Sequence, residues 1–408
     1  MLVNSLVQKT LGVKNHRVVS VTGDTTGLEV RLERRKCRKL VCSGCGARAP
    51  GYDTLKERTW RHVPLWGIPV KLSYRPRRVR CSQCGIKVEQ MPWGPSKSRL
   101  SLPLIILLAT WSKLLAMKVV AQLFGVGWAT VGSAVKQAVA YGLEHRETAG
   151  VLYIGMDEIS RRRGHIYHTQ VYDLSAGRLL WSKEGRSSEV LQAFFAEWGL
   201  ERTAQIQGIC CDMWDPYVQV IKACAPQVVL VFDKFHLIRH LQKAVDEVRK
   251  AEAEQLKPKN PELLKGTKYL WLKNPWNLTP KQRERLGYLE KLNLKTNRAY
   301  VLKESFHLVW TYPNPGWAKR FLHKWFWWAT HSRLQPMRDF AWLLRRHLED
   351  IVSYFKLPIS NGAVEGLNNK AKVISHRAYG FRTEKWFTTI LLHCLGQLPM
   401  PQFAHKFL

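Results

Sequence analysis

The segment that most constrains the fold runs from residue 150 to about 240, because strand and helix patterns alternate there in a fixed order. Three strand patterns come first, GVLYIGMDEIS, HIYHTQVYDL and RLLWSKEG, and the amphipathic helix pattern SSEVLQAFFAEWGL follows them. A fourth strand, QIQGICCDMWDPY, leads into a short helix, and QVVLVFDKFHLIRHL is a fifth strand that passes into a long helix. The order is therefore strand, strand, strand, helix, strand, helix, strand.

That order is the order of a ribonuclease-H-like fold, and two of its strands end in an aspartate. Period-two alternation places Asp157 on one face of the first strand, and Asp212 lies at the C-terminal end of the fourth, where α/β sheets usually build sites. Two acids at neighbouring strand ends repel each other unless positive charge lies between them. A pair of divalent cations ~4 Å apart would supply that charge and would stabilise both oxygens of a phosphodiester exchange.

The metal that fits such acids is Mg²⁺ (or Mn²⁺), which takes few protein carboxylates and completes its shell with water and phosphate. A third carboxylate is expected from elsewhere in the chain. A single aspartate at a strand end would more simply have a capping or turn role, and the matched pair is what favours a catalytic site.

A lone acid, Glu365, stands in the stretch PISNGAVEGLNNKAK at 358–372, which has the pattern of a helix start. Two interpretations are open at this point. A glutamate in a first helical turn is stabilised by the positive end of the helix dipole. It could equally hold a metal ion.

The charge of the chain indicates a polyanionic partner. The 408 residues contain 64 Lys and Arg against 31 Asp and Glu, a net charge of +33, and residues 1–100 alone hold 21 basic and 6 acidic side chains. The most apolar stretch, LPLIILLATW, is too short for a span of ~20 residues, so no membrane partner is expected. The opening MLVNSLVQKT has no apolar signal-peptide core, so we expect a cytoplasmic protein.

Four of the nine cysteines form two knuckles, Cys42 with Cys45 and Cys81 with Cys84. The two-residue spacing lets two thiolates from one turn reach one tetrahedral Zn²⁺, and the glycine after each knuckle permits a left-handed turn. A redox pair is the alternative for one such knuckle, and two knuckles favour structural zinc. Cys37 is a spare cysteine. The strand pattern VKLSYRPRRVRC at 70–81 is expected to feed the second knuckle.

Basic residues surround this module, in ERRKCRK and RPRRVR, and they make phosphate contact by Arg77, Arg78 and Arg80 more plausible than pure scaffolding. The next segment, AMKVVAQLFGVGWATVGSAVKQAVAYG, has two apolar helical runs split by a Gly-Val-Gly turn, which is the pattern of a helix-turn-helix. Its alternative is an ordinary helical hairpin. The second helix would place four polar side chains in the major groove: Thr130, Ser133, Lys136 and Gln137.

In these features together, the chain resembles the DDE transposases of bacterial insertion sequences, most closely the ISL-three-type group. The resemblance covers nearly the whole length and is carried by the double CxxC module, the helix-turn-helix, IGMDE, CDMWDPY, FDKFH and SNGAVEGLNNKAK with RAYGFR. It implies that Asp157, Asp212 and Glu365 are the catalytic acids and metal ligands. It also implies a divalent metal, usually Mg²⁺, and a cut-and-join reaction on transposon ends.

The resemblance also explains why Glu365 lies so far from Asp212. Related transposase groups carry a helical insertion before the last catalytic helix, and the Trp-rich, basic stretch after residue 254 fits one. The expected fold is multidomain α+β, with five segments: a zinc-binding module at 1–95, a helix-turn-helix at 96–148, the first part of a ribonuclease-H-like core at 149–254, a helical insertion at 255–350 and the second part of the core at 351–408.

Three further residues or segments are candidates for contact with DNA. Lys372 lies seven residues after Glu365 and therefore on the same helix face, although the Tyr and Arg that usually precede this spacing are replaced by Pro358 and Asn361. His236 is expected near the site, and a helix-start role without chemistry is its alternative. In KWFWWATH at 324–331 most rings are expected in the core, with Trp325 or Trp328 as candidates for base stacking.

The expected reaction follows from these parts. The zinc module and the helix-turn-helix bind terminal inverted repeats, water activated by metal cuts the transposon end, and the freed 3′-hydroxyl attacks target DNA. Two ends must be synapsed, so a homodimer or higher oligomer is expected. One alternative is a zinc and helix-turn-helix transcriptional regulator with an inert ribonuclease-H-like domain. A second is a nuclease that cleaves without joining.

Overall fold

The computed structural model describes residues 3–11, 15–35, 40–94, 98–162 and 166–401. The chain divides into two compact units, which are described separately below. The first comprises Met1–Glu147 and Val373–Leu408, and the second comprises Thr148–Lys372.

The first unit begins with a four-stranded sheet in the order β1-β2-β7-β6. Strand β2 pairs antiparallel with β1 and parallel with β7, and β6 pairs antiparallel with β7. Its core contains the buried rings of Trp60, Tyr74 and Trp93, which meet edge to face. The elements of this part are α1 (Val3–Leu11), β1 (His16–Asp24), β2 (Gly27–Arg34), β6 (Arg58–Leu65) and β7 (Ile68–Tyr74).

Two small sheets stand beside it and carry the cysteines. One pairs β3 with β4, and the other has the order β5-β8-β9. Their strands are β3 (Leu40–Val41), β4 (Arg48–Ala49), β5 (Gly51–Thr54), β8 (Arg77–Cys81) and β9 (Gly85–Val88).

The single strand predicted over 70–81 is wrong, because β7 ends at Tyr74 and β8 begins at Arg77 in a different sheet. Arg75 and Pro76 separate the two strands. A proline has no N–H for a sheet ladder, so the run breaks where the chain passes from one sheet to the next. The apolar residues occupy even positions in β7 (Val70, Leu72, Tyr74) and odd positions in β8 (Val79, Cys81), so the phase of the alternation changes across the break.

Helices complete the first unit: α2 (Leu102–Leu114), α3 (Met117–Leu123), α4 (Trp128–His145) and α16 (Glu384–Leu395). Helices α3 and α4 meet at a bend of 114° across a turn in which Gly125 has a φ of 53°. Gly132 of α4 packs on α16 so closely that an added Cβ would lie 2.7 Å from the Trp386 ring. No helix in the described ranges is by itself long and apolar enough to cross a membrane; α3 and α4 reach that length and composition only together.

The second unit is built on a five-stranded sheet in the order β12-β11-β10-β13-β14. Strand β11 pairs antiparallel with both β10 and β12, whereas β10, β13 and β14 run parallel to one another. The strands are β10 (Tyr153–Arg162), β11 (Ile166–Asp173), β12 (Arg178–Glu184), β13 (Gly208–Cys211) and β14 (Val229–Phe232).

Four helices follow the strands of this sheet: α5 (Ser188–Trp198), α6 (Leu200–Gln205), α7 (Asp215–Cys224) and α8 (Lys234–Leu256). Parallel neighbours require crossover connections, and α7 is the crossover between β13 and β14. Asp233 is the N-cap of α8 and accepts a hydrogen bond from the Phe235 N–H, so the chain turns sharply from β14 into that helix.

Between α8 and the last helix of the sheet lies an all-helical stretch. It contains α9 (Lys268–Leu272), α10 (Pro280–Glu290), α11 (Lys295–His307), α12 (Pro315–His331), α13 (Gln335–Arg346) and α14 (Leu348–Val352), together with short 3₁₀ turns at Pro275–Asn277, Leu308–Thr311 and Ser353–Phe355. Glu252 joins this stretch to α8, because its carboxylate accepts hydrogen bonds from the backbone N–H groups of Lys295 and Thr296, both over 2.7 Å.

The chain then returns to the sheet as α15 (Gly362–Arg377). The side-chain amide of Asn361 donates to the Met156 carbonyl over 3.1 Å and so fixes the start of α15 on β10. Gly155 permits this contact, since a Cβ there would lie 2.6 Å from Asn361 Oδ1 and 2.7 Å from the Val364 side chain. The helix that carries Glu365 therefore lies directly against the strand that carries Asp157.

Candidate active site

Three carboxylates converge on one imidazole beside the carboxyl ends of β13 and β14. Asp157 lies midway along β10, which continues to Arg162, so the prediction that this strand ends at its aspartate is wrong. His236, in the first turn of α8, has Nδ1 3.3 Å from Asp212 Oδ2 and Nε2 4.0 Å from Asp157 Oδ1. The same Nε2 lies 3.8 Å from Asp233 Oδ2. The structure thus places the two predicted aspartates beside one side chain, although 55 positions separate them in the sequence.

The electrostatics of this cluster follow from burial and from crowding of like charge. Burial raises the pKa of Asp157, and the charges of Asp233 and Asp212 raise it further. Burial would also raise the pKa of Asp212, but the hydrogen bond and positive charge of His236 outweigh it and lower that pKa. Burial disfavours protonation of His236, yet the bond to Asp212 and the three carboxylates together raise the pKa of His236 to about 9.

Asp157 is held from both sides by hydrogen-bond donors. The Glu158 N–H donates to Oδ1 over 2.8 Å, and the Asn368 side-chain amide donates to Oδ2 over 2.6 Å. Asn368 is buried, with 5% of its surface exposed, and lies on α15. Both oxygens keep a lone pair for a further partner, so the carboxylate is oriented without being saturated.

A buried chain of hydrogen bonds extends behind Asn368. Its Oδ1 accepts from the Tyr172 hydroxyl over 2.6 Å, and that hydroxyl also contacts the side-chain amide of Gln170. The hydroxyl lies within hydrogen-bonding reach of two oxygen acceptors, Asn368 Oδ1 and Gln170 Oε1, and its single proton can be donated to one of them at a time. The chain therefore runs from Gln170 through Tyr172 and Asn368 to Asp157.

The third predicted acid, Glu365, lies in the first turn of α15 and is exposed. Its carboxylate forms no ion pair with any residue in the described ranges. Asn361, Glu365 and Asn368 are one turn apart along the helix, so they lie on the same side of α15. Lys372 is likewise exposed, two turns after Glu365.

The oxygen atoms of this cluster suit a hard divalent cation. Carboxylates are the ligands that Mg²⁺ and Mn²⁺ prefer, and Asp157 and Asp212 both present theirs to the His236 imidazole, from the central strand β10 and from the end of its neighbour β13. Within the described ranges, however, the three acids do not come within the 4.8 Å of one another that marks a closed ligand set. The residues fit an open site that water and phosphate oxygens complete.

The four knuckle cysteines do form a closed set. Their sulfur atoms lie within 4.8 Å of one another, and Cys45 and Cys81 are 3.4 Å apart. Gly46 and Gly85 have φ values of 73° and 70°, so both glycines adopt the left-handed turn that the spacing predicted. Backbone N–H groups of Cys84 and Gln83 lower the pKa of the Cys81 thiol to about 7, which favours the thiolate that zinc binds.

The predicted arginines lie on or beside this module, on β8. Arg77 and Arg80 are exposed, and the guanidinium of Arg80 lies 5.3 Å from the ring centre of Tyr52. Arg78 forms an ion pair with Asp53, so part of its charge is already neutralised. Cys37 lies outside the described residues.

The polar face predicted for the second helix is exposed on α4. Ser133, Lys136 and Gln137 are exposed and Thr130 is half-buried. An open groove of about 560 Å³ runs along this face, bordered by Thr130, Ser133 and Gln137 and by the segment Ser98, Arg99 and Leu100. Lys136 is partly engaged, because its ammonium lies 4.3 Å from the Trp386 ring centre.

Comparison with known proteins shows the family of the chain. A family model for the ISL3 group of DDE transposases, described as a transposase, matches residues 154–391. The chain belongs to the ISL3 transposase family. A second model, described as the zinc finger of the IS204, IS1001, IS1096 and IS1165 transposases, matches residues 38–84 of this transposase, which contain all four knuckle cysteines.

Two relatives of this transposase align over most of their lengths. The transposase for insertion sequence element IS1001 of Bordetella parapertussis is 31% identical over 352 residues, which cover 85% of this chain and 87% of the relative. The transposase for insertion sequence element IS1557 of Mycobacterium tuberculosis is 29% identical over 411 residues, which cover 94% and 92%.

Sequence reasoning missed Asn368, Tyr172 and Gln170. A signal for Asn368 was present, because an asparagine three residues after Glu365 shares its side of the helix. Tyr172 and Gln170 gave no such signal, since a buried polar residue on a strand cannot be distinguished from an exposed one by alternation alone. Asp157 and Gln170 are direct neighbours across β10 and β11, a register that only the structure reveals.

Proposed function

We propose that this transposase cleaves DNA at the ends of an insertion sequence and joins the freed ends to target DNA. Asp157, Asp212 and Glu365 are the proposed catalytic carboxylates and the ligands of Mg²⁺ or Mn²⁺. The observation that carries the proposal is the placement of Asp157 and Asp212 beside His236, at the end of a sheet on which the helix of Glu365 packs.

Divalent cations at this position would activate water or a 3′-hydroxyl and neutralise the phosphate oxygens. The residues of the chain prepare the site for them. Asn368 and the Glu158 N–H orient the carboxylate of Asp157, so its oxygens need not reorganise when a cation binds. His236 holds Asp212 and balances part of the negative charge of the cluster.

The fold proposed for the second unit is a ribonuclease-H-like core, interrupted between α8 and α15 by the helical stretch. Support comes from the sheet order β12-β11-β10-β13-β14, with three antiparallel strands on one side and two parallel strands on the other. We propose domain boundaries near residues 95, 148, 254 and 350.

The proposed DNA-recognition elements are the zinc module and the helices α3 and α4. A bend of 114° falls within the 90–120° usual for a helix-turn-helix, and α4 is the helix that would enter the major groove. Phosphate contacts are proposed for the arginines of β8, for Lys372 and for His236, and base-edge contacts for the polar face of α4.

The proposed DNA partners are the terminal inverted repeats and the target. Because two ends must be held together, we propose a homodimer or a higher oligomer as the active complex, acting on the nucleoid in the bacterial cytoplasm. Much of the affinity would come from phosphate contacts, so binding should weaken steeply with salt.

A DNA-binding regulator with an inert core is the second candidate, since it would share every recognition element. The acids distinguish the two. A regulator has no need for two aspartates held beside one imidazole, of which burial raises the pKa of Asp157 and His236 lowers the pKa of Asp212.

The test is a strand-transfer assay with terminal-repeat DNA, target DNA and Mg²⁺. Asp157→Asn, Asp212→Asn and Glu365→Gln should each abolish joining while duplex binding is retained. Glu262→Gln is the matched control, because that glutamate is also exposed and lies in the helical stretch.

Persistent joining in any one of the three variants would remove that residue from the proposed catalytic set. Cleavage without joining by the parent protein would instead favour a nuclease. Neither cleavage nor joining, with specific binding intact, would favour the regulator.

A further inference from the structure

The helical stretch at 255–350 exposes many large aromatic side chains. It contains eight of the 17 tryptophans of the chain, and five of these are more than 40% exposed: Trp276, Trp317, Trp327, Trp328 and Trp342. The same stretch holds 19 basic and 7 acidic side chains, a net charge of +12. Exposed indoles among cations are the composition of surfaces that stack bases and attract phosphate.

The two tryptophans that the sequence offered as candidates for base stacking differ in burial. Trp325 is buried, packs against Phe306 and Phe340, and donates its indole N–H to the Leu302 carbonyl over 2.9 Å. Trp328 is 42% exposed. Of this pair, only Trp328 is available to an external ligand.

Trp328 lines a cavity of about 430 Å³ between α11 and the end of α12. This volume lies within the range of small-molecule sites, which is about 300–1,000 Å³. Its lining includes the apolar Val301 and Leu302, the polar Asn297 and Ser332, and the cations Arg298 and Arg333.

The charges of this cavity are not neutralised from within. Neither Arg298 nor Arg333 forms an ion pair with a carboxylate in the described part of the chain. Both guanidiniums are exposed, as is the imidazole of His331. An apolar ring beside two such cations matches a nucleotide, whose base has a flat apolar face and whose phosphates are anionic.

We propose that this cavity binds an unpaired DNA base stacked on Trp328, with the flanking phosphates on Arg298 and Arg333. A base inside a duplex has both faces covered by its neighbours, so an indole can stack only on a base that has left the helix or lies in a single strand. The proposal rests on the proposed function in so far as DNA is the substrate. It adds a second DNA site, remote in sequence from Asp157 and Asp212, that selects unpaired structure.

The test compares the affinities of the full-length protein for a fluorescein-labelled short oligothymidylate and for a blunt duplex of equal length, at fixed salt and without divalent metal. Trp328→Ala should weaken single-strand binding roughly tenfold or more, the usual effect of losing one stacking ring, and should leave duplex binding unchanged. Trp328→Phe should keep most of the affinity. Trp342→Ala is the matched control, since Trp342 is 47% exposed but lies outside the cavity lining.

An unchanged single-strand affinity in Trp328→Ala, in a protein whose melting temperature matches the parent, overturns the proposal. Equal losses for single strand and duplex overturn it too, because they indicate a general loss of charge or fold. If Trp328→Ala leaves both DNA affinities unchanged and alters only the sedimentation of the free protein, the proposal is overturned. The surface around Trp328 is then a contact between copies of the chain. No metal is present, so these outcomes are independent of whether the three acids catalyse strand transfer.

Discussion

Asn368 donates a hydrogen bond to the carboxylate of Asp157 over 2.6 Å, across 211 positions of sequence. This bond ties the helix of Glu365 to the strand of Asp157 at the point where the proposed chemistry occurs. The orientation of the Asn368 amide is fixed, because its oxygen accepts a hydrogen bond from the Tyr172 hydroxyl and its nitrogen donates one to the Asp157 carboxylate. Asn368 is therefore a positioning residue for Asp157.

Replacing Asn368 with alanine should weaken metal binding. The side chain orients a proposed ligand, and removal of such a partner typically reduces metal affinity 10–100-fold. We expect the Kd for Mn²⁺, measured by isothermal titration calorimetry, to rise by about tenfold. Asn369→Ala is the control, because Asn369 is the next residue on the same helix and is exposed.

Equal Mn²⁺ affinities in the parent and Asn368→Ala would contradict the positioning role. A reduction in joining without a change in Mn²⁺ binding would show that Asn368 acts on the DNA or on helix packing instead.

Removing one zinc ligand should release the metal and unfold the small sheets around it. Cys45→Ser leaves three thiols, and structural zinc sites contribute directly to folding. We expect about one equivalent less zinc by elemental analysis and a loss of specific terminal-repeat binding. Cys224→Ser should keep its zinc, since Cys224 lies outside the cluster. Full zinc content in Cys45→Ser would mean that another residue supplies the fourth ligand.

The groove along α4 should determine sequence preference. Ser133 and Gln137 border it, and one good base-edge contact contributes ~1–3 kcal/mol of discrimination. Gln137→Ala should therefore reduce the ratio of terminal-repeat to scrambled-duplex affinity by roughly tenfold in an anisotropy assay. Gln122→Ala on α3 is a control of the same residue type, exposed and outside the groove. A uniform loss on both duplexes would identify Gln137 as a phosphate contact.

Stability should fall on acidification because of a buried histidine in α16. Burial lowers the pKa of His393 to about 4, although its Nε2 donates to the Ala109 carbonyl over 2.7 Å. The unfolded chain binds a proton below about pH 6.5, whereas the folded chain does so only near pH 4. The contribution of His393 is therefore complete above pH 6.5 and is lost as the pH falls from 6.5 to 4.

His393→Gln keeps a donor but cannot titrate, so it isolates this effect. Between pH 7.5 and 5.5 the parent should lose about 1.3 kcal/mol more unfolding free energy than the variant, as measured by urea titration. Parallel pH profiles would show that His393 is protonated in the folded protein.

The β-sheet of the second unit was predictable because its five strands are apolar runs that end in turn residues or in acids. Asp157 and Asp212 could be paired from that order because β10 and β13 are parallel neighbours, although β10 continues past Asp157 to Arg162. The prediction of one strand over 70–81 is wrong because the chain changes sheet at Pro76, which has no N–H for a ladder. The apolar residues change from even to odd positions at the same point.

The environment of Asp157 was not predictable. It depends on the register between β10 and β11 and on the angle at which α15 packs on the sheet. Neither property can be read from the periodicity of apolar residues in the sequence. His236 was expected near the site, but its position between two acids follows from the tight turn at Asp233, which sequence alone does not specify. Long-range polar contacts of this kind are fixed by packing.

Gly155 has a consequence that reaches beyond its own strand. With a Cβ absent, α15 can approach β10 until Asn361 and Val364 touch the backbone. Even one methyl group at this position would act as a spacer and lift the whole helix, moving Asn368 out of range of Asp157 and carrying Glu365 with it. The absence of a side chain at Gly155 thus determines how closely the helix of Glu365 can approach the strand of Asp157.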